Sequence, residues 1–383
     1  MNPRDARAAR LFALTLLPLA LSACHKSDFP QYAPDYREYA YITNGGSGTV
    51  TVLDVVNVRL DREIAVGQNP VAVTASRTRN EVYVLNTGTA GGQGSVSIVN
   101  AENNTVAATI AVRRLPLSID VDPTGDVAYV ANSGSNSISV VDLKARREVA
   151  LIGVGEEPVA ARIAPDGNTL VVANRGGDSV SLVDPAARKV RAVFEDCLGA
   201  TDAVILPDST KAFVACAGGH QVMALRLATA TQPDKLETMM DVGRSPIHLA
   251  LKPDGGEVFV SNSLSNSVSE IYTNTNDVAG AYMMGDYPVR GLVSADNSML
   301  YVANSSSQYV TPYAIDDGKR LGSIQVGDGP VALALSAAGH LLFVVDARSA
   351  DVSVVRTASR ALFTILPTNR GPNAIAVKAF NQP

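Results

Sequence analysis

The sequence predicts an all-β fold, a single β-propeller of eight four-stranded blades. Three observations carry this: a four-residue phrase recurring at an even period, a proline-led strand recurring between its copies, and a composition suited to short strands. The phrase reads Tyr41-Ile-Thr-Asn44, Tyr83-Val-Leu-Asn86, Tyr129-Val-Ala-Asn132 and Val171-Val-Ala-Asn174. It continues as Phe213-Val-Ala-Cys216, Phe259-Val-Ser-Asn262, Tyr301-Val-Ala-Asn304 and Phe343-Val-Val-Asp346. Successive starts lie 42, 46, 42, 42, 46, 42 and 42 residues apart. A period in the forties with several strands per unit is that of a propeller blade.

Each unit supplies the same four strands. The first follows a Gly-x-x-Pro turn, as in Pro70-Val-Ala-Val73 or Pro330-Val-Ala-Leu333. A turn such as Pro165-Asp-Gly167 or Pro253-Asp-Gly255 ends it, with glycine free to take positive φ. The Tyr-Val-x-Asn strand comes next, then a strand like Ser137-Ile-Ser-Val-Val-Asp142, then one like Thr109-Ile-Ala-Val112. The two longer spacings come from an enlarged turn at 87–94 and from the 228–235 stretch. The motif Asn reads as structural, its short side chain bonding nearby backbone to stabilise a tight turn.

Counting also predicts closure. Tyr41 has no proline-led strand before it, while Gly371-Pro-Asn-Ala-Ile-Ala-Val377 is such a strand with nothing after it. The C-terminal strand is therefore expected to complete the N-terminal blade and remove the open sheet edges. These phrases resemble the YVTN-family β-propeller repeat proteins, over nearly all of the chain after its leader. The resemblance implies exported or surface-associated proteins, and seven blades as the alternative count. Eight phrases and eight leading strands favour eight.

The apolar fraction of 46% against 18% charged suits a large core; Trp is absent and aromatics are 5%. The N-terminus reads as a targeting segment, with Arg4, Arg7 and Arg10 before an apolar run at 11–20. That run is shorter than the ~20 residues a membrane span needs. Leu21-Ser22-Ala23-Cys24 resembles the lipobox of bacterial lipoproteins, which implies cleavage before Cys24 and lipidation of its thiol. The expected domains are a signal peptide at 1–23, a lipidated Pro-containing tether at 24–38 and a propeller at 39–383. The expected location is the cell envelope, lipid-anchored. His25 rather than Asp after the cysteine favours the outer membrane, by resemblance to lipoprotein sorting.

Without residues 1–23, which hold three Arg and one Asp, 29 basic residues face 36 acidic ones, a net charge of −7. That balance argues against a phosphate backbone as the main partner. Cys197 and Cys216 remain, either as a disulfide in an oxidising compartment or as buried thiols. A bridge would close a loop of about 20 residues, worth on the order of 3 kcal/mol.

The inner strands hold the candidate site. Two residues after each proline (or Ala200) stand Ala72, Ser118, Ala160, Asp202, His248, Arg290, Ala332 and Ala374. Four after it stand Thr74, Asp120, Arg162, Val204, Ala250, Leu292, Ala334 and Ala376. Small residues suit a crowded hub. Asp120, Arg162, Asp202, His248 and Arg290 break that rule in five successive blades, so they are expected to line one arc. They form either a polar pocket, in which Arg162 and Arg290 hold a carboxylate or phosphate, or mutually satisfied pairs, Asp120–Arg162 and Asp202–Arg290.

Catalytic patterns are thin. No Gly-x-Ser-x-Gly, His-Glu-x-x-His or phosphate loop occurs. Cys197, Cys216 and His220 lack zinc-motif spacing, and Asp120-x-Asp122 lacks the other calcium ligands. No cofactor or metal is expected. The reading is a monomeric, non-catalytic binding or scaffold protein whose partner is a peptide, a glycan or another envelope protein. A propeller enzyme, lactonase-like or a haem-d1 or quinone oxidoreductase, is the alternative.

Overall fold

A computed structural model describes residues 30–382. The signal peptide, Cys24 and the start of the tether lie outside them. Residues 32–382 lie in one compact unit. Within it eight antiparallel sheets follow one another, each of four strands counted from the hub outward. Blade 2 spans 70–114, blade 3 116–153, blade 4 158–194, blade 5 200–241, blade 6 246–283, blade 7 288–325 and blade 8 330–367. Blade 1 takes its three outer strands from 36–65 and its innermost from Pro372–Asn381. The last strand of the chain thus closes the ring onto the first, in register from Tyr36–Asn381 to Asn44–Pro372. The fourth strand of blade 7 is broken into Lys319–Arg320 and Ile324–Gln325, both pairing with Tyr309–Ala314.

Packing explains the phrase. Its aromatic residue points into the seam between blades: Tyr41, Tyr83, Phe213, Phe259 and Phe343 are all fully buried. Tyr41 packs with Val50 and Val52 of its own blade and Val82, Val84 and Val99 of blade 2. Its hydroxyl donates to Asn104 Oδ1 of blade 2 at 2.6 Å.

The motif Asn makes a different bond from the one expected. Its amide reaches mainly across to hydroxyls of the third strand rather than to turn backbone. Asn132 donates to Ser139 Oγ at 2.9 Å, Asn174 to Ser181 at 2.9 Å, Asn262 to Ser269 at 2.9 Å and Asn44 to Thr51 at 2.8 Å. The backbone of the following turn is tied elsewhere. In every blade the N–H after the motif position donates to the carbonyl of the residue before the proline (before Ala200 in blade 5), as Ser133 does to Leu115 and Ala347 to Gly329. Both turns therefore lie at one end of the channel, called here the proline end. The glycine of Gly-x-x-Pro leaves room for the amide: a Cβ on Gly67, Gly155 or Gly285 would stand 2.6–2.7 Å from the Asn of its own blade.

Blade 8 carries a carboxylate where six blades carry the amide. Asp346 is fully buried and accepts from Ser353 Oγ at 2.7 Å and from Gly327 N at 3.1 Å. Burial, reinforced by Asp351, pushes its carboxyl up to about 7. A folded-state value above the ordinary one favours the protonated form, so its contribution is present at low pH and is lost as pH rises from about 4 through 7. Asp346→Asn is therefore expected to raise stability on the order of 2 kcal/mol at pH 8 and to change little near pH 4. Denaturant midpoints at the two pH values measure this; equal midpoints at pH 8 would refute it.

The chain enters at the end opposite the prolines. Glu38 is buried there, accepting from Ala337 N at 2.6 Å and from the Tyr36 hydroxyl at 2.8 Å. The Tyr32 and Tyr36 rings stack at 4.7 Å, and the Tyr32 hydroxyl lies 3.3 Å from His340 Nε2.

Candidate functional site

Eight inner strands surround the channel, and each begins with a bulge. The motif residue pairs with the proline, but the next residue of the motif strand pairs with the second residue after it: Asn86 with Pro70, then Leu85 with Ala72. The residue just after the proline is left over. Such an extra residue breaks strict alternation and re-aims the side chains that follow. As a result, the first four positions after the proline all contribute to one cavity of about 440 Å³.

Asp120, Arg162, Asp202, His248 and Arg290 all line that cavity. The structure brings the five together but pairs them differently from either expected couple. Asp202, 6% exposed, is the hub of the charges. Its Oδ1 accepts from Arg162 Nη2 at 3.0 Å, and its Oδ2 accepts from Leu249 N at 3.2 Å and lies 3.8 Å from His248 Nε2. Burial opposes its ionisation, but Arg162, then His248 and Arg290, outweigh it and hold the carboxyl below its ordinary value. Arg162 is further fixed by donating Nη1 to Ser118 Oγ at 3.0 Å and to the Ala161 carbonyl. Asp120 accepts from Ile163 N at 3.0 Å and Val121 N at 2.9 Å, and burial raises its carboxyl against the pull of Arg162.

His248 has a defined chemical form. Burial, aided by Arg290, pushes its imidazole down to about 3, so the ring is neutral at pH 7. Gly291 N–H donates to Nδ1 at 3.3 Å, which leaves the proton on Nε2, facing Asp202. Neither nitrogen offers a free lone pair to the cavity.

Arg290 is the exception. It makes no hydrogen bond or ion pair among the described residues, although its guanidinium feels Asp202 and Arg162 through space. Its side chain is open to the cavity yet ringed by protein, and burial lowers it from its ordinary value while leaving it a cation. The opposite arc is small or weakly polar: Ala72, Thr74, Ala332 and Ala374. Thr201 and Asn373 also line the cavity and were missed by counting two and four residues from the proline. They occupy the bulge position, whose signal is the residue immediately after the proline.

Cys197 and Cys216 are joined by a disulfide with Cα atoms 4.9 Å apart. Neither thiolate is available to a metal. Nearby His220 faces the Ala217 carbonyl at 3.0 Å and accepts from Ser245 N at 3.2 Å. Among the described residues no group of three or more His, Cys, Asp or Glu gathers in a way that would hold a metal ion.

These features define an eight-bladed propeller with a charged arc in its hub. The chain belongs to the YNCE-like beta-propeller family, whose model matches residues 105–379. The repeat phrases pointed to a propeller repeat protein, and at that level the family agrees. No curated protein sequence matches the chain.

Solved structures share the fold at low identity. A functionally unknown protein from Desulfotomaculum acetoxidans is 15% identical, with TM-score 0.62, over 88% of this chain and 98% of its own. A putative 6-phosphogluconolactonase from Bacteroides uniformis is 13% identical, with TM-score 0.62, over 90% and 100%. The dihydro-heme d1 dehydrogenase NirN in complex with DHE is 15% identical, with TM-score 0.63, over 77% of this chain and 66% of its own. At these identities the likeness is one of fold.

Proposed function

We propose that the protein is a lipid-anchored propeller of the cell envelope, in the outer membrane of a double-membraned cell, acting as a non-catalytic binding protein that takes its ligand in the hub. One observation carries the reading: Arg290 presents a guanidinium to the cavity with no acceptor among the described residues, while the other charged groups of the arc are engaged. A cation that the fold leaves without an acceptor among the described residues, open to a channel lined by other charged groups, commonly serves something other than the fold.

The anchor fits this geometry. The chain enters at the end opposite the prolines, and seven residues separate Cys24 from Tyr32, a reach of at most about 28 Å. Lipid on Cys24 would hold that end toward the membrane and turn the proline end outward. The cavity is lined by residues that stand one to four positions after the prolines (or Ala200), the part of each inner strand nearer that outward end.

The hub histidine does not favour the enzyme alternative. His248 has its Nδ1 occupied and its Nε2 protonated, so it supplies neither a general base nor an axial ligand without rearrangement.

The test uses the full chain expressed in a bacterial envelope as wild type, Cys24→Ser and Arg290→Ala. Wild type is expected in the membrane fraction with a small molecule retained in native mass spectra. Cys24→Ser should move to the soluble fraction, and Arg290→Ala should melt like wild type but lose the retained mass. A folded Arg290→Ala protein with undiminished retention refutes the hub as the binding site, and an unchanged fractionation of Cys24→Ser refutes the anchor.

A further inference from the structure

What enters the hub follows from which donors there remain unused, so this inference rests on the hub being a ligand site. Asp202 commits both oxygens to Arg162 and Leu249 N. Arg162 commits its outer nitrogens to Asp202, Ser118 and the Ala161 carbonyl. Asp120 accepts two backbone N–H groups, and His248 is neutral with its proton toward Asp202. Arg290 keeps five N–H donors in a rigid planar fork and no acceptor among the described residues.

We propose that the hub binds a small hydroxylated monocarboxylate, its two oxygens taken by the Arg290 fork. The planar fork matches a carboxylate, and two parallel charge-assisted bonds fix the ligand's orientation. A phosphate dianion fits less well. Its second charge would need another free cation, and the only other arginine lining the cavity is already paired with Asp202.

The far wall identifies the other end of the ligand. In an eight-bladed ring blade 3 stands opposite blade 7, so Ser118 faces Arg290 across the channel, and Thr74 lies one blade further round. Ser118 Oγ accepts from Arg162 and Ala161 N, which leaves its own proton to donate. Thr74 makes no side-chain hydrogen bond among the described residues, so its hydroxyl can both donate and accept. The alanines beside them leave the volume open. A molecule with a carboxylate at one end and hydroxyls at the other satisfies both walls within about 440 Å³.

The experiment measures the rate at which phenylglyoxal modifies Arg290 in the full-length protein, by peptide mass spectrometry at matched ionic strength. The probes are gluconate, hexanoate, gluconamide and inorganic phosphate, with the exposed Arg59 as internal control. Gluconate is expected to slow modification of Arg290 roughly tenfold or more, as a charge-assisted bidentate pair would. Hexanoate should protect less, gluconamide should not protect, and Arg59 should be unaffected. Equal protection by gluconamide, or better protection by phosphate, overturns the carboxylate class while leaving the hub a binding site. Arg290 that reacts freely with every probe present, or that is inert to the reagent without any probe, also overturns the proposal. Failure of the hub reading itself appears separately, as retention in Arg290→Ala.

Discussion

Deletion of residues 371–383 is expected to abolish cooperative melting of the ring, or to lower its midpoint by more than about 10 °C. Pro372–Asn381 is the inner strand of blade 1, and among the described residues it joins the first strand of the chain to the last in one sheet. It also reaches beyond its own blade. Lys378 Nζ donates to the Ser76 carbonyl of blade 2 at 2.8 Å, and Asn373 Nδ2 donates to the Pro70 carbonyl at 2.9 Å. Asn373 Oδ1 accepts from Thr43 Oγ1 at 2.5 Å, and Phe380 packs in the seam with Tyr41 and Val82. Truncation exposes the inner edge of Tyr36–Asn44 and parts blade 1 from blade 2. It also removes Asn373, Ala374 and Ile375 from the hub wall. Net stabilities of ~5–15 kcal/mol are small enough that losing a ten-residue ladder decides the outcome. Circular dichroism melts measure it, and a truncated protein melting like wild type would show that the ring does not need its clasp.

The ring was legible in the sequence because its period is written in residues that packing holds constant. Tyr41, Tyr83, Phe213 and their equivalents fill the same seam, so blade number and closure follow from spacing. The arc was legible for a related reason: the proline fixes where each inner strand starts, so an Asp or Arg among alanines stands out. Two things were hidden. The bulge after every proline breaks the alternation of faces, which put Thr201 and Asn373 on the cavity wall outside any two-residue count. The choice of partners was the other. Arg162 sits two positions further along its strand than Asp202 does along the next, and its length lets it cross that offset to 3.0 Å. Spacing within a strand does not state how far a flexible side chain reaches to its neighbour. Without that, the isolation of Arg290 is invisible.

The disulfide yields the second large effect, and it involves three positions rather than two. Cys197 occupies the place of the Gly-x-x-Pro glycine, and Cys216 that of the motif Asn. Seven residues after the motif position (eleven in blade 2, because of its enlarged turn) every other blade has a hydroxyl (Thr51, Ser97, Ser139, Ser181, Ser269, Thr311 and Ser353), while blade 5 has Met223. Blade 5 has thus exchanged a glycine, an amide and a hydroxyl for a covalent bridge with an apolar cover. Losing the bridge through Cys197→Ser with Cys216→Ser is expected to cost about 3 kcal/mol, for a bridge across a sequence separation of 19. Cys197→Gly with Cys216→Asn should cost more, because the new amide is buried against Met223 with no acceptor, a penalty of roughly 1–3 kcal/mol. Adding Met223→Ser completes the arrangement found in the neighbouring blades and should recover about that penalty. In the native background the same Met223→Ser change should instead destabilise, since it removes a fully buried side chain from the core beside the bridge. The coupling between positions 216 and 223 therefore reverses the sign of one substitution, and denaturant unfolding of the four variants reads it directly. Met223→Ser costing the same in both backgrounds would mean that the three positions are independent and that blade 5 carries a disulfide for some other reason.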